Sequence, residues 1–405
     1  MSCDTPGLMS VDDALAEILK KVVVQAETEF VYLEHAVGRV LAESPVAQVD
    51  VPPAANSSMD GYAVNSQLFA DEEADYLLPI SQRIPAGTAP SPLIENTAAR
   101  IFTGAEIPLG ADAVVMQENV ELVEDQVRIK GPIMVNLNIR AQGQDIKEGE
   151  LILPCGTELQ APDVGLLAST GIEGVQVYRS VKVAIMSTGD ELVNPGIPLQ
   201  PGQIYNSNRF VLRSLLSQLG CEVIDLGCVA DTFDDTLDAL KSAASQADCI
   251  ISTGGVSVGE EDHVKNAIQS LGTLNMWRLN IKPGKPVAFG EIDGVSFFGL
   301  PGNPASTLIT FLILARPFIK AMRGVSIQPP LQFKVPAGFE RLKTSTRQEY
   351  MRARYEGTMV TPFHNQSSGM LSSASWANGL VVIPPNTRVQ KGDGVVFIPF
   401  SELLS

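Results

Sequence analysis

The chain has 405 residues, 45% of them hydrophobic and 19% charged, with a formal net charge of -17. At roughly 100–200 residues per domain, this is the length of two to four domains, and the composition is globular rather than disordered. So acidic a balance is a poor one for gripping nucleic acid, which needs basic faces; it suits solubility, or carboxylates gathered around a divalent cation. The five cysteines, Cys3, Cys155, Cys221, Cys228 and Cys249, are scattered and form no C-x-x-C pair, which argues against a disulfide framework or a zinc site. Cys221, Cys228 and Cys249 lie in or beside apolar runs and are expected to be buried thiols. Residues 1–21 lack the basic start and apolar stretch of a signal peptide, and no uninterrupted run of eighteen apolar residues occurs. The expectation is a cytoplasmic protein with neither membrane nor nucleic acid as partner.

Val11, Leu15, Ile18, Leu19 and Val22 recur at helical spacing and predict an amphipathic helix near 10–24. Pro45 to Pro53 is extended and Pro-bearing, a passage between domains. From about 50 to 148 the texture is short apolar runs, such as 113–116 and 127–129, broken by Pro and Gly, which predicts a small β-rich domain. Pro162 starts a helix near 164–169. At Val181 the texture changes. The runs VKVAIMSTGDE, CEVIDLGCVAD, DCIISTGG and VSFFGLPGNPAS read as strands, with helices over NRFVLRSLLSQLG, 235–247, 262–271 and up to Met322. Strands alternating with helices predict a parallel sheet covered on both faces. From 328 onward helical periodicity vanishes, and short β-runs with turns at Pro384-Pro385 and Gly392-Asp393-Gly394 predict a small β-barrel-like domain.

Ligands of open parallel sheets bind beyond the carboxyl ends of the strands. Three strands here end in polar, Gly-bearing turns: Ser187-Thr188-Gly189-Asp190-Glu191, Ser252-Thr253-Gly254-Gly255 and Leu300-Pro301-Gly302-Asn303-Pro304. Any α/β protein needs such turns singly; three on one edge point to an anion site built from backbone amides. None matches a Walker or dinucleotide-binding pattern. The second turn continues through Ser257 and Gly259 to Glu260-Glu261-Asp262, acids that could bridge Mg²⁺ to phosphate, or could simply cap a helix with Asp262. Downstream, Arg278, Lys282, Pro283 and Lys285 form a cation-bearing stretch suited to a small oxyanion, or else a solvated loop. Asp60-Gly61 and Thr103-Gly104 mark turns in the β-rich region. The three histidines are too few and too far apart to argue for zinc.

The segments NSSMDGYAV, RIFTGAEIPLGADAVV, GQDIKEGE, STGDEL, IYNSN, STGGVSVGEED, IKPGKP and GLPGNPAS resemble, in order and rough spacing, those of the MoeA-type molybdenum insertases, the family that includes the C-terminal region of gephyrin. The resemblance spans nearly the whole chain. It implies an α/β plus β fold: an elongated multidomain chain, homodimeric, with a small linking domain (28–48 and 149–177), a β-rich inserted domain (49–148), a parallel-sheet molybdopterin-binding α/β domain (8–27 and 178–326) and a C-terminal β-barrel-like domain (327–405). The implied reaction is transfer of molybdate into adenylyl-molybdopterin with release of AMP, dependent on Mg²⁺.

Carried onto this chain motif by motif, the resemblance implies catalytic roles for Asp60, Thr103, Asp145, Glu191, Asp231 and Asp262. Of these, Glu191, Asp231 and Asp262 would serve the metal. Substrate contacts would come from the turns Thr188–Asp190 and Pro301–Asn303, from Gly254, Gly255, Ser257 and Gly259, and from Arg278, Lys282, Pro283 and Lys285, with Arg352 and Ser368 forming the other wall of a molybdate pocket. The family often has Lys where Arg278 stands, a change of donor geometry. A molybdopterin adenylyltransferase and cofactor-receiving enzymes are the implied protein partners. Two other readings compete: an adenylyltransferase, which resembles only the 178–325 block and lacks the extra β-rich domains, and a scaffold, which has no physical need for Asp60, Thr103, Glu191, Asp262 and Lys282 together.

Overall fold

The structure, a computed structural model, describes residues 8–71, 74–254, 263–284 and 286–404, with the backbone alone at 276–278. One of its six-stranded sheets runs, edge to edge, Glu222–Val229, Lys182–Thr188, Cys249–Thr253, Val295–Leu300, Pro286–Ile292 and Gly272–Arg278. The first four strands are parallel, as the alternation of strands and helices predicts. The sheet is nevertheless mixed, because Pro286–Ile292 runs antiparallel between its two neighbours. The cause is a two-residue hairpin: Asp293 and Gly294 both take positive φ (48° and 84°) between paired Ile292 and Val295. An Asp-Gly turn between apolar runs is the strongest short-range hairpin signal. Gly272–Arg278 is therefore an edge strand, and the stretch read as a cation-bearing loop begins inside the sheet.

Side chains of adjacent positions go to opposite faces, as the strand period requires. Val183, Ile185, Ile251 and Phe298 join one core cluster, beneath the helix Ser207–Gln218 and the helical run Pro304–Met322. Ala184, Met186, Ile250 and Phe297 join another, beneath Phe233–Ala244 and His263–Leu271. Pro304–Met322 is long and apolar enough to cross a membrane by length and composition, yet 78% of its most apolar stretch is buried inside the protein, and Phe311, Leu312, Phe318 and Ile319 lie in the first cluster. It is a core helix. Its Phe311–Ala315 segment is a π turn just ahead of Pro317, whose missing N–H cannot continue the regular ladder.

The N-terminal helix, Val11–Leu19, is shorter than its periodicity suggests. Ser10 caps it, with Oγ accepting from Asp13 N at 3.0 Å. It buries Val11, Ala14 and Ile18 in the first α/β cluster, and Met9 bridges Leu279. The chain then leaves that domain, forms the antiparallel pair Thr28–Tyr32 with Gly174–Tyr178 beside the helix Ala161–Ser169, and enters a six-stranded sheet between residues 61 and 130.

After the core helix, Phe333–Pro336, Gln348–Tyr355, Val360–Pro362, Gly379–Ile383 and Gly394–Pro399 form the last sheet. Ala337 bridges Val360, which brings the first of these strands back to the third and closes the sheet around Val335, Ala353, Val360, Val381 and Phe397. The barrel-like expectation is met. This sheet also takes a strand from the α/β domain: Ile281–Lys282 pairs in parallel with Gln348–Glu349.

Candidate functional site

The strand exchange just described joins the α/β domain to the closed sheet, and a cavity of about 550 Å³ opens at the seam. One side is made by Gly254, Pro301, Gly302, Asn303 and Ser306, the turns at the carboxyl ends of two parallel strands and the start of the core helix. The opposite side is made by Arg347, Gln366, Ser367 and Ser368 of the C-terminal domain, with Lys282, Pro283 and Gly284 between. Close packing holds this seam. Gly284 has φ +110°, and a Cβ there would stand 2.4 Å from Thr310 Cγ2 of the core helix. Ala305 N donates to Ser368 O at 2.9 Å, tying the helix start to the far wall.

Among the described residues, Lys282 and Arg347 line the cavity. Lys282 Nζ lies 2.7 Å from Glu349 Oε1, while Arg341 contacts the other carboxylate oxygen. Arg347 Nη1 donates to Ile281 O at 3.3 Å. Arg352 sits behind the wall, 1% exposed, with Nε donating to Ser373 Oγ at 2.9 Å and Nη2 to Ser367 O at 3.0 Å. Gln366 frames the same loop: its Oε1 accepts from Arg352 N, and its Nε2 donates to the carbonyls of Arg352 and Phe363. Neither Arg347 nor Arg352 has a carboxylate partner among the described residues. Burial alone brings the Arg352 guanidinium down to about 10, so it stays charged at neutral pH. A buried cation with neutral partners is costly unless an anion approaches it.

The sheet edge carries polar atoms that the fold leaves unused. Thr188 Oγ1 and Asn208 Oδ1 are buried and without a hydrogen-bond partner among the described residues. Asn208 Nδ2 donates to Gly302 O at 2.7 Å, and a Cβ on Gly302 would lie 3.8 Å from Gly254 Cα. At Gly254 (φ +87°) a Cβ would meet Thr188 O at 2.7 Å, so only glycine lets these turns close on one another. Gly254 and Gly302 line the cavity, and Thr188 and Asn208 lie buried directly behind them.

The acids are arranged separately. Glu191 folds back over Gly189, and Asp190 and Glu191 both raise the nearby Cys228 thiol, whose largest influence is burial. Thr188 pairs with Val229, so Glu191 and Asp231 follow neighbouring strand ends; both are exposed. Such hard oxygen donors suit Mg²⁺. Among the described residues no three acidic, His or Cys side chains come together as a metal site. Cys228 is itself exposed, against expectation, with Sγ donating to Gly189 O at 3.6 Å. Gly227 at φ +74° breaks the strand alternation and turns it outward. Cys221 and Cys249 are buried as expected; burial pushes Cys221 up to about 12 and Cys249 further.

Asp60 and Thr103 meet each other but do not border the cavity. Asp60 Oδ1 accepts from Thr103 N at 2.8 Å and from Thr103 Oγ1 at 3.0 Å, and these bonds, with Arg100 nearby, hold the Asp60 carboxyl below its ordinary value. Asp145 is exposed where the inserted sheet returns to the linking domain, its N–H donating to Val51 O at 2.9 Å. Gly255, Ser257, Gly259, Asp262 and Lys285, and the side chain of Arg278, lie outside the described residues.

Family models for the MoeA N-terminal region (domains I and II), a probable molybdopterin binding domain and the MoeA C-terminal region (domain IV) match residues 9–171, 184–321 and 334–400. A Haemophilus influenzae protein named molybdopterin molybdenumtransferase is 39% identical, over 98% of this chain and all of its own length. The chain belongs to the MoeA family. A Nostoc protein of the same name is 35% identical over 97% of the chain and 93% of its own. The crystal structure of a molybdopterin biosynthesis MoeA protein from Pyrococcus horikoshii matches with a TM-score of 0.85 at 29% identity, covering 97% of this chain and all of that one.

Beyond the site residues that the family motifs imply, the structure adds Arg347, Glu349, Gln366, Ser306 and Asn208 to the surroundings of the cavity. Glu349 and Arg352 lie in the strand Gln348–Tyr355, with Arg347 just ahead of it; its mixed sequence, QEYMRARY, has no motif that marks a site, and the pairing with Ile281–Lys282 brings Glu349 to the seam. Asn208 carried a signal, since IYNSN was among the family segments, but its free acceptor depends on burial.

Proposed function

We propose that the protein is a molybdopterin molybdenumtransferase that binds molybdate in the seam cavity and inserts the metal into adenylyl-molybdopterin, releasing AMP. The observation that carries this reading is the convergence of Lys282 and Arg347 on one cavity at the end of the sheet, with Arg352, buried and without a carboxylate partner among the described residues, directly behind its Ser367 wall. Fixed cations and hydroxyls favour a small tetrahedral dianion, and Ser367 and Ser368 stand where its oxygens would find donors. The turns of Gly254 and of Pro301, Gly302 and Asn303, backed by Thr188 and Asn208, receive the adenylylated pterin next to it. Positioning then does the work: two Mo–O bonds give way to two Mo–S bonds as the displaced oxygens take up protons and leave as water, and one water attacks the phosphoanhydride phosphorus, forming a new P–O bond as the bridging P–O bond breaks to give AMP; no protein nucleophile is required.

Glu191 and Asp231, with Asp262, are the residues that would hold Mg²⁺. Bound there, the ion offsets phosphate charge and polarises the P–O bond. Asp190 and Glu191 keep the sheet edge acidic enough to gather it. The reading includes a homodimer, a cytoplasmic location, and a molybdopterin adenylyltransferase and cofactor-receiving enzymes as partners. A second subunit supplies a route by which Asp60 and Thr103, remote from the cavity lining, take part.

Purified protein supplied with adenylyl-molybdopterin, Mg²⁺ and molybdate is expected to release AMP and form active cofactor; no AMP above the protein-free control would sink the reading. Sedimentation velocity checks the dimer. Lys282→Ala is expected to weaken molybdate use by about tenfold and pterin binding less, a loss typical of one charge-assisted contact. Equal losses in both would remove Lys282 from the oxyanion pocket.

A further inference from the structure

A carboxylate beside an anion pocket needs a reason. Glu349 is the acid in contact with Lys282, and its charge opposes any anion that enters the cavity. Its side chain is 5% exposed, whereas that of Lys282 is 46% exposed. The carboxylate thus lies beneath, and the ammonium stands at the cavity wall. The backbone sets this up: Lys282 pairs in register with Glu349, and neighbouring strands send paired side chains to the same side. Arg341, on the preceding stretch of the C-terminal domain, forms an ion pair with the second carboxylate oxygen, which receives no well-directed hydrogen bond among the described residues. Arg341 in turn is fixed by antiparallel backbone bonds to Val389 in both directions, at 2.8 and 3.0 Å.

A lysine ammonium on a four-carbon stem is a mobile point charge. Ordering it as an anion binds costs affinity, and ordering it beforehand removes that cost. The chain Arg341–Glu349–Lys282 does this. Arg341 adds a second cation to a carboxylate that is almost fully buried, and the carboxylate holds Nζ at 2.7 Å. A simple surface pair between domains would not need the acid buried or a second cation behind it.

We propose that Glu349 is a positioning residue for oxyanion binding, one that holds Lys282 Nζ at the wall of the seam cavity while Arg341 buttresses it from behind. This rests on the cavity being the oxyanion pocket of the preceding section. Loss of the carboxylate leaves the lysine present and charged but no longer aimed.

The test uses the full-length protein and molybdate alone as probe, measured by equilibrium dialysis with metal analysis. Glu349→Gln keeps the size and removes the charge; molybdate binding is expected to weaken about tenfold, and Glu349→Asp to recover part of the loss. Arg341→Gln, which spares the Lys282 contact, is expected to weaken binding about threefold and serves if Glu349→Gln fails to fold. In turnover, Glu349→Gln should raise the KM for molybdate about tenfold with kcat changed less than threefold. Unchanged or tighter binding by Glu349→Gln, or a fall in kcat without a change in KM, overturns the proposal. If the wild type itself binds no molybdate, the oxyanion reading of the cavity has failed, and the proposal with it.

Discussion

At the seam cavity Arg352 is 1% exposed and held by Ser367 and Ser373, whereas in the inserted domain Asp60 and Thr103 hold each other across a turn open to solvent. The two places use similar hydrogen bonds for different ends. Around Arg352 two domains remove water, so each polar contact is strong and each missing one is expensive. At the Asp60 corner water competes, and the bonds mainly shape a turn and keep a carboxylate charged. Binding energy for a small anion therefore belongs at the seam, and the corner is suited to touching something large that brings its own desolvation.

The sharpest way to break this contrast is Arg352→Met. Molybdate-dependent AMP release is expected to fall about 100-fold, as for a preorganised donor lost from a dry site, with the urea unfolding free energy lowered by less than about 3 kcal/mol. A tenfold or smaller loss of activity would return the cavity to a structural role. Gly284→Ala attacks the packing of the seam. The new methyl meets Thr310 Cγ2 in a backbone conformation that disfavours it, and unfolding should become easier by about 2–4 kcal/mol. Adding Thr310→Ser removes that methyl while keeping the hydroxyl that donates to Ser306 O, and should restore part of the loss. No rescue would mean that backbone strain, not the contact, sets the cost.

The smallest effect is at the corner. Asp60 should titrate below 3.8 in the folded protein, and Thr103→Val should move it upward as its hydroxyl bond is lost. Because the folded value is depressed, the stabilisation is complete above the unfolded value and is lost as pH falls through the folded one. Carbon-detected NMR of the side chain reads this directly. A Thr103→Val midpoint identical to the wild type would assign the shift to the backbone N–H and Arg100 alone.

Much of the fold was legible. The alternation from Val181 onward named four parallel strands and their helices, and the loss of helical periodicity after 328 announced the closed sheet. The Asp293-Gly294 hairpin was equally legible as a turn between apolar runs, and passing over it made 278–286 look like a loop. Cys228 could not be placed by its apolar neighbours, because the turn at Gly227 is a backbone event and not a pattern of hydrophobicity.

By itself the sequence determined the local elements and the residue types at the strand ends, because turn chemistry and side-chain period act over a few neighbouring residues. It also held the ordered motifs that mark the MoeA family. Only the tertiary structure decided that Lys282, Arg347 and Ser368 share one cavity with Arg352 behind its Ser367 wall, that Glu349 stands beneath Lys282, and that Asp60 and Thr103 stand apart from the cavity. Those facts depend on the parallel pairing of two residues, Ile281 and Lys282, with a strand more than sixty positions away. Neither segment's own pattern specifies that pairing; it follows from how the closed sheet docks on the α/β core.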